Sequence, residues 1–166
     1  LKDRKSSQDF KPMQVKMNRI LVKAYISNGR IGDALELVEK SYQKYQAETD
    51  QEIELDLLEM LEIAKEQYME TEAKDKGSIQ LKRIIDKYID NIDTDIRIRT
   101  GLALKELADY KLCINDVDGA MDSYKQLMDE YIQSNYKKLE SILQDTIIKQ
   151  GEILFKKGQY FEARVL

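Results

Sequence analysis

The chain has 166 residues, 42% apolar and 35% charged, with one proline and a net charge of -4, which is enough for a compact domain or short repeat array and excludes intrinsic disorder. The mild negative balance offers no basic stripe to gather phosphates, which argues against nucleic acid as a direct partner. No apolar run nears the ~18 residues a membrane span needs, and no signal-peptide pattern opens the chain.

Taken in chain order, four units emerge. In the first, about 12–48, Val15, Asn18, Leu21, Val22 and Tyr25 lie three or four apart and predict a helix; Asn28-Gly29 interrupts it. Ala34, Leu35, Leu37, Val38, Ser41 and Tyr42 then resume helical spacing. The second unit, about 49–92, opens on a Thr49-to-Glu52 capping box, followed by Ile53, Leu57, Leu58, Leu61, Ala64 and Tyr68 in a helix expected to run to about Ala73. Gly77 opens its second helix. The third, about 93–134, has Leu104, Leu107 and Ala108, a break near Asn115, then Val117, Ala120, Tyr124 and Leu127. The fourth, about 135–166, has Ile147, Gly151 and Leu154, a break at Lys157-Gly158, then Tyr160 and Ala163. It stops inside a helix, and both ends read as cuts in a longer protein.

These units share a period of 43: Ala34, Gly77, Ala120 and Ala163 fall in register, as do Tyr45, Tyr88 and Tyr131. A fixed period of this size marks a solenoid, whose units bury their apolar faces only by stacking on one another. The small residue is expected where two antiparallel helices cross nearest their turn. Gly29 and Gly158 suit a helix exit with positive φ, and Asn115 is the usual substitute. Glu72, at the equivalent point of the second unit, fits neither role and predicts an irregular or lengthened turn.

The register resembles the tetratricopeptide repeat family. The first unit supplies Leu21, Tyr25, Gly29, Ile31 and Ala34; the third supplies Leu104, Leu107, Ala108, Val117, Ala120 and Tyr124; the fourth supplies Ile147, Gly151, Leu154, Gly158, Tyr160 and Ala163. Gln150 and Lys111 depart from the pattern, the second unit matches through phase alone, and no unit has the closing proline. A period of 43 is similar to the long-repeat branch of that family. The resemblance implies an all-α, right-handed solenoid of about four stacked hairpins, the last truncated, acting as a protein- or peptide-binding scaffold. The alternative from another class is the peptide- or ligand-sensing region of a bacterial transcriptional or signalling regulator.

The residue inventory argues against an enzyme. There is no histidine, which removes the commonest general base and metal ligand. Cys113 is expected to be a buried structural thiol, and a single cysteine fits a reducing, cytoplasmic setting. Gly29 and Gly32 read as a turn. Asp116, Asp118 and Gly119 fail the calcium-loop template at Ile114 and Lys125. No cofactor or metal is expected.

Candidate binding residues lie on the first helix of each unit. Lys16, Arg19 and Lys23 share one helix face, and 43 residues on they become Glu59, Glu62 and Glu66. The Lys23 row continues through Asp109 and Glu152, and the Arg19 row through Lys105 and Ile148. An apolar row runs through Ile26, Met69, Leu112 and Phe155. Two readings stand: a self-neutralising ladder worth tenths of a kcal/mol per exposed pair, or a groove for a segment with apolar anchors beside Lys or Arg. A carboxylate clamp is disfavoured, because Ile63 stands where that site needs asparagine. Self-association through the exposed C-terminal end near Leu154 and Tyr160, or fraying near Leu166, is expected.

Overall fold

The computed structural model describes residues 10–134 and 136–165, with the side chains of 160 and 161 left aside. Among these residues the chain forms helices and no strand: α1 Lys11–Ser27, α2 Ile31–Tyr45, α3 Gln51–Met69, α4 Lys74–Tyr88, α5 Thr94–Cys113, α6 Val117–Tyr131, α7 Lys137–Lys156 and α8 Tyr160–Val165. The second helix of each hairpin begins at Ile31, Lys74, Val117 and Tyr160, 43 residues apart each time. Helices α2, α4 and α6 each have 15 residues. The sequence period is therefore also the period of element placement.

The turns explain this regularity. Gly29, Asn115 and Gly158 adopt φ of 72°, 62° and 74°, a left-handed conformation that costs glycine nothing and asparagine little. Each sits in the same pair of bonds. The Arg30 amide donates to the Tyr25 carbonyl and Gly29 to Ile26; Asp116 donates to Lys111 and Asn115 to Leu112; Gln159 donates to Leu154 and Gly158 to Phe155. These are Schellman closures, which satisfy the last carbonyls of α1, α5 and α7. The second unit differs as Glu72 predicts. Its turn covers 70–73, one residue longer than the others. There the Thr71 hydroxyl donates to the Tyr68 carbonyl and accepts from the Ala73 amide. Helix α3 accordingly ends at Met69, four residues before the expected Ala73.

The N-terminal cap of α3 is Asp50, one residue beyond the expected Thr49, with its carboxylate accepting from the Glu52 and Ile53 amides. Asp93 caps α5 in the same way, 43 residues later. Asp116 caps α6 through the Gly119 amide at 3.0 Å. A Cβ on Gly119 would fall 2.2 Å from that carboxylate, so the close approach that makes this cap requires glycine there.

The chain divides into two compact units, with the break between Lys87 and Tyr88 at the end of α4. In the first, α1 packs on α2 and α3, and α2 on α3. Its core holds Val15, Val22, Ala34, Val38, Tyr45, Ile53, Leu57 and Leu61. In the second, α5 packs on α6 and α7, α6 on α7, and α7 on α8, around Ala108, Ala120, Tyr124 and Ile153 with Leu112 and Val117 against them.

The small-residue slot behaves as expected in three units. Ala34 and Ala120 are fully buried, and Gly77 is buried with Met69 Cγ and Sδ 3.0 Å from where its Cβ would stand. Ala163 is half-buried. Tyr45, Tyr88 and Tyr131 close α2, α4 and α6, all buried. The Tyr45 hydroxyl donates to Gln14 Oε1 at 3.0 Å. Arg97 lies over the Tyr131 ring at 4.8 Å, and burial pushes the Tyr131 hydroxyl up to a pKa of about 12.

Two expectations fail. Cys113 is exposed, because its register equivalents Ser27, Glu70 and Lys156 mark a solvent-facing last turn. Leu21 and Ile31, expected to help form the first hairpin's core, are also exposed.

Candidate functional site

The candidate wall assembles in two separate places, one per unit. In the first unit, α1 supplies the cations and α3 the anions. Arg19 Nη1 donates to Glu59 Oε2 at 2.6 Å. Its Nε stands 2.7 Å from Asp56 Oδ1 without hydrogen-bond alignment. Lys23 pairs with the other Glu59 oxygen. Burial pushes Glu59 up, but hydrogen bonds from Lys23 and Arg19 outweigh it and hold the carboxyl below its ordinary range. Asp56 goes the other way: burial raises it, and the nearby Arg19 charge only partly compensates. Lys16 and Glu66 are exposed and Glu62 half-exposed. Met69 packs against Gly77 at the α3–α4 crossing.

In the second unit both helices carry both signs. Lys105 Nζ lies 2.6 Å from Asp109 and 3.5 Å from Asp145. Lys149 Nζ lies 2.8 Å from Asp109 and 3.4 Å from Asp145. The buried Tyr124 hydroxyl of α6 donates to the same Asp109 carboxylate. Burial pushes Asp109 up, but bonds from Lys105, Lys149 and Tyr124 outweigh it and hold its pKa below the ordinary aspartate value. Burial likewise pushes Lys149 down, and Asp109 overcompensates to raise it. Asp109 is thus the hub of a four-charge square with a buried hydroxyl attached. Leu112 packs into the core beside it, while Glu152 and Phe155 are exposed.

The partners are not those the period alone implies. Shifting Arg19 by 43 gives Glu62 and shifting Lys23 gives Glu66, yet both meet Glu59. Arg19 to Glu59 and Asp109 to Lys149 are each 40 residues apart. A period identifies equivalent positions, whereas neighbours depend on how far one helix slides along the next. Three residues of slide is about 4.5 Å at 1.5 Å per residue.

Asp56, Asp145, Lys149 and the Tyr124 hydroxyl were absent from the sequence candidates. The four-residue spacing of Lys105 to Asp109 and of Asp145 to Lys149 was the available signal, since such pairs share a helix face. Among the described residues no cluster of His, Cys, Asp or Glu could hold a metal, and no helix is long and apolar enough to cross a membrane. Comparison with known families, curated proteins and solved structures finds no match to this chain.

Proposed function

We propose that this chain is a tetratricopeptide-like helical-repeat scaffold that binds a protein or peptide and performs no chemistry of its own. The observation that supports this most is the repeated hairpin itself: second helices begin every 43 residues, with a small residue in the same slot. Within each compact unit the first helices lie side by side, α1 on α3 and α5 on α7, the arrangement from which a repeat scaffold builds a binding wall. An exposed Cys113 thiol fits a reducing compartment such as the cytoplasm.

The charged residues sort into two roles. Glu59 and Asp109 are engaged by cations of their own unit and serve packing. Glu66 of α3 and Glu152 of α7 are exposed, and these are the carboxylates we assign to recognition. The partner class is a segment presenting apolar anchors beside Lys or Arg, with the anchors supplying most of the affinity and the carboxylates the orientation and association rate.

The test is selection from a displayed random-peptide library on the folded chain. Enriched peptides should carry that pattern and bind Glu66→Gln and Glu152→Gln more weakly, with the largest loss at low salt. Enrichment of no sequence, or binding indifferent to both changes at every ionic strength, overturns the reading.

A further inference from the structure

The Asn28-Gly29 pair that ends the first helix carries a reactive combination of groups. Of the asparagines in the sequence, Asn28 alone is followed by glycine. Glycine has no side chain to shield its nitrogen and leaves the backbone free to turn. In a flexible chain that nitrogen therefore reaches the carbonyl carbon of the asparagine side chain and closes a five-membered ring. Asn28 and Gly29 are both exposed, and nothing lies within 4 Å of where a Cβ on Gly29 would stand, so water reaches the pair freely.

The register shows that the fold does not ask for asparagine at this point. The equivalents of Asn28 are Thr71, Ile114 and Lys157. Ile114 and Lys157 stand in the two other left-handed turns, where the next residue, Asn115 or Gly158, takes the positive φ and both closing bonds form. Isoleucine and lysine thus serve the same turn as well as asparagine does.

The closed turn holds the reacting groups apart. Asn28 Nδ2 donates to the Ala24 carbonyl at 2.8 Å. The Gly29 amide, whose nitrogen would attack, donates to the Ile26 carbonyl at 2.9 Å. Asn28 has a ψ of 11°, which turns the Gly29 nitrogen away from the side chain. Ring closure needs a large rotation of the peptide plane between residues 28 and 29, and that rotation breaks the Gly29 bond. The closed turn is therefore unreactive, whereas the opened turn is a flexible Asn-Gly segment.

We propose that Asn28 is a site of spontaneous deamidation gated by opening of the turn between α1 and α2. In the opened turn the Gly29 nitrogen loses its proton to hydroxide and its electron pair forms a bond to Asn28 Cγ. The Cγ–Nδ2 bond breaks, and Nδ2 takes up a proton from water and leaves as ammonia. Water then adds to one of the two ring carbonyls. Breaking the new bond to Cγ gives aspartate, and breaking the original main-chain bond gives isoaspartate, so the sum is one water consumed and one ammonia released. Both products lose the donor to Ala24 and set a carboxylate at the negative, C-terminal end of α1. Isoaspartate also lengthens the main chain by one methylene, so the bonds from Gly29 to Ile26 and from Arg30 to Tyr25 cannot both be kept. The change is one-way and loosens the first hairpin.

The test is incubation of the whole chain in mildly alkaline buffer made with heavy-oxygen water, followed by tryptic mapping in a mass spectrometer. Lys23 and Arg30 bound a tryptic peptide that carries the site, and the heavy oxygen separates conversion during incubation from conversion during digestion. The same peptide incubated free is the reference for an open turn. Conversion at Asn28 should be at least about tenfold slower in the folded chain than in the peptide, because only the locally opened fraction reacts. In denaturing urea it should reach the peptide rate and outrun Asn18, Asn91 and Asn115. Asn28→Lys, with the residue type that stands at 157, should keep its helical circular dichroism and show no conversion in this peptide. The converted chain, separated by its added negative charge, should melt below the original. Asn28→Asp, made directly, should melt below wild type but above the isoaspartate form. Three results would each overturn the proposal: equal rates in the folded chain and the free peptide, no conversion at Asn28 in urea, or a converted chain that melts like the original.

Discussion

In the first unit α1 brings only cations to α3, and Glu59 takes both Arg19 and Lys23. In the second, α5 and α7 each carry a lysine and an aspartate four residues apart, and the four close into a square around Asp109. The same helix-to-helix contact is thus neutralised by two charge patterns. By contrast, the slot at Ala34, Gly77 and Ala120 holds only small residues. Partly exposed charges need only cancel locally, because solvent screens the remainder; a close crossing has a fixed amount of room.

The largest effect should come from breaking that crossing. Ala120→Leu, at a fully buried site, should cost roughly 1–3 kcal/mol by overpacking, read as a lowered urea midpoint. Gly77→Ala, in the equivalent slot of the second hairpin, should leave the midpoint unchanged or slightly raised. Its Cβ would come nearest to Met69 Cγ and Sδ at 3.0 Å, side-chain atoms that can yield by a rotamer change, and alanine is favoured over glycine in a helix by about 1 kcal/mol. Equal loss in both variants would show that Met69 cannot yield.

Next in size is the contrast between the two carboxylate hubs. Asp109→Ala removes the acceptor of the buried Tyr124 hydroxyl as well as the partner of two lysines, and should cost about 1–3 kcal/mol. Glu59→Ala leaves Arg19 beside Asp56 and should cost under ~1 kcal/mol. Denaturation of both variants in low and high salt separates them: the Glu59 loss should shrink with salt, while most of the Asp109 loss persists. A reversed order would mean that the hydroxyl finds another acceptor.

Acid titration sharpens the same comparison. Asp109 has a folded pKa below 3.8, so its stabilising contribution is present above the unfolded value and lost as pH falls through the folded one. Asp56 has a folded pKa above 3.8, so its ionised form costs the fold stability, and that cost disappears as pH falls through its own folded value. Side-chain carboxyl carbon shifts should therefore show Asp56 protonating at higher pH than Asp109. Coincident titration of the two would contradict the assigned surroundings.

The smallest effect lies in the turns. Asn115→Gly, at φ 62°, should stabilise by roughly 0.5 kcal/mol, as left-handed strain is relieved against a more flexible unfolded chain. Glu72→Gly should give no gain, because that turn has no left-handed residue among those described and closes through Thr71. Thermal midpoints of the two variants make the comparison.

The turns were largely legible from local chemistry. Gly29, Asn115 and Gly158 announce a left-handed exit wherever they fall, and Glu72 announces its absence. The buried tyrosines and small residues were legible because packing them repeats at a fixed distance along the chain. Thr49 misled because two good capping residues stand side by side, and only the path of the backbone into α3 selects Asp50. The wall was legible in composition and misread in pairing. Glu66 and Glu62 looked like the partners of Lys23 and Arg19, and the slide between first helices gave both cations to Glu59.

Sequence alone determined what depends on chain distance: the 43-residue placement of helices, the left-handed turns, the small-residue slot and the run of tyrosines that ends α2, α4 and α6. Tertiary structure decided what depends on distance through space. It chose which carboxylate meets which cation, attached the Tyr124 hydroxyl to Asp109 and left Cys113 in solvent. The reason is that hydrogen bonds and apolar periodicity within a helix are local, while burial and ion pairing depend on the offset and rotation of one helix against the next, and a repeat period does not encode either.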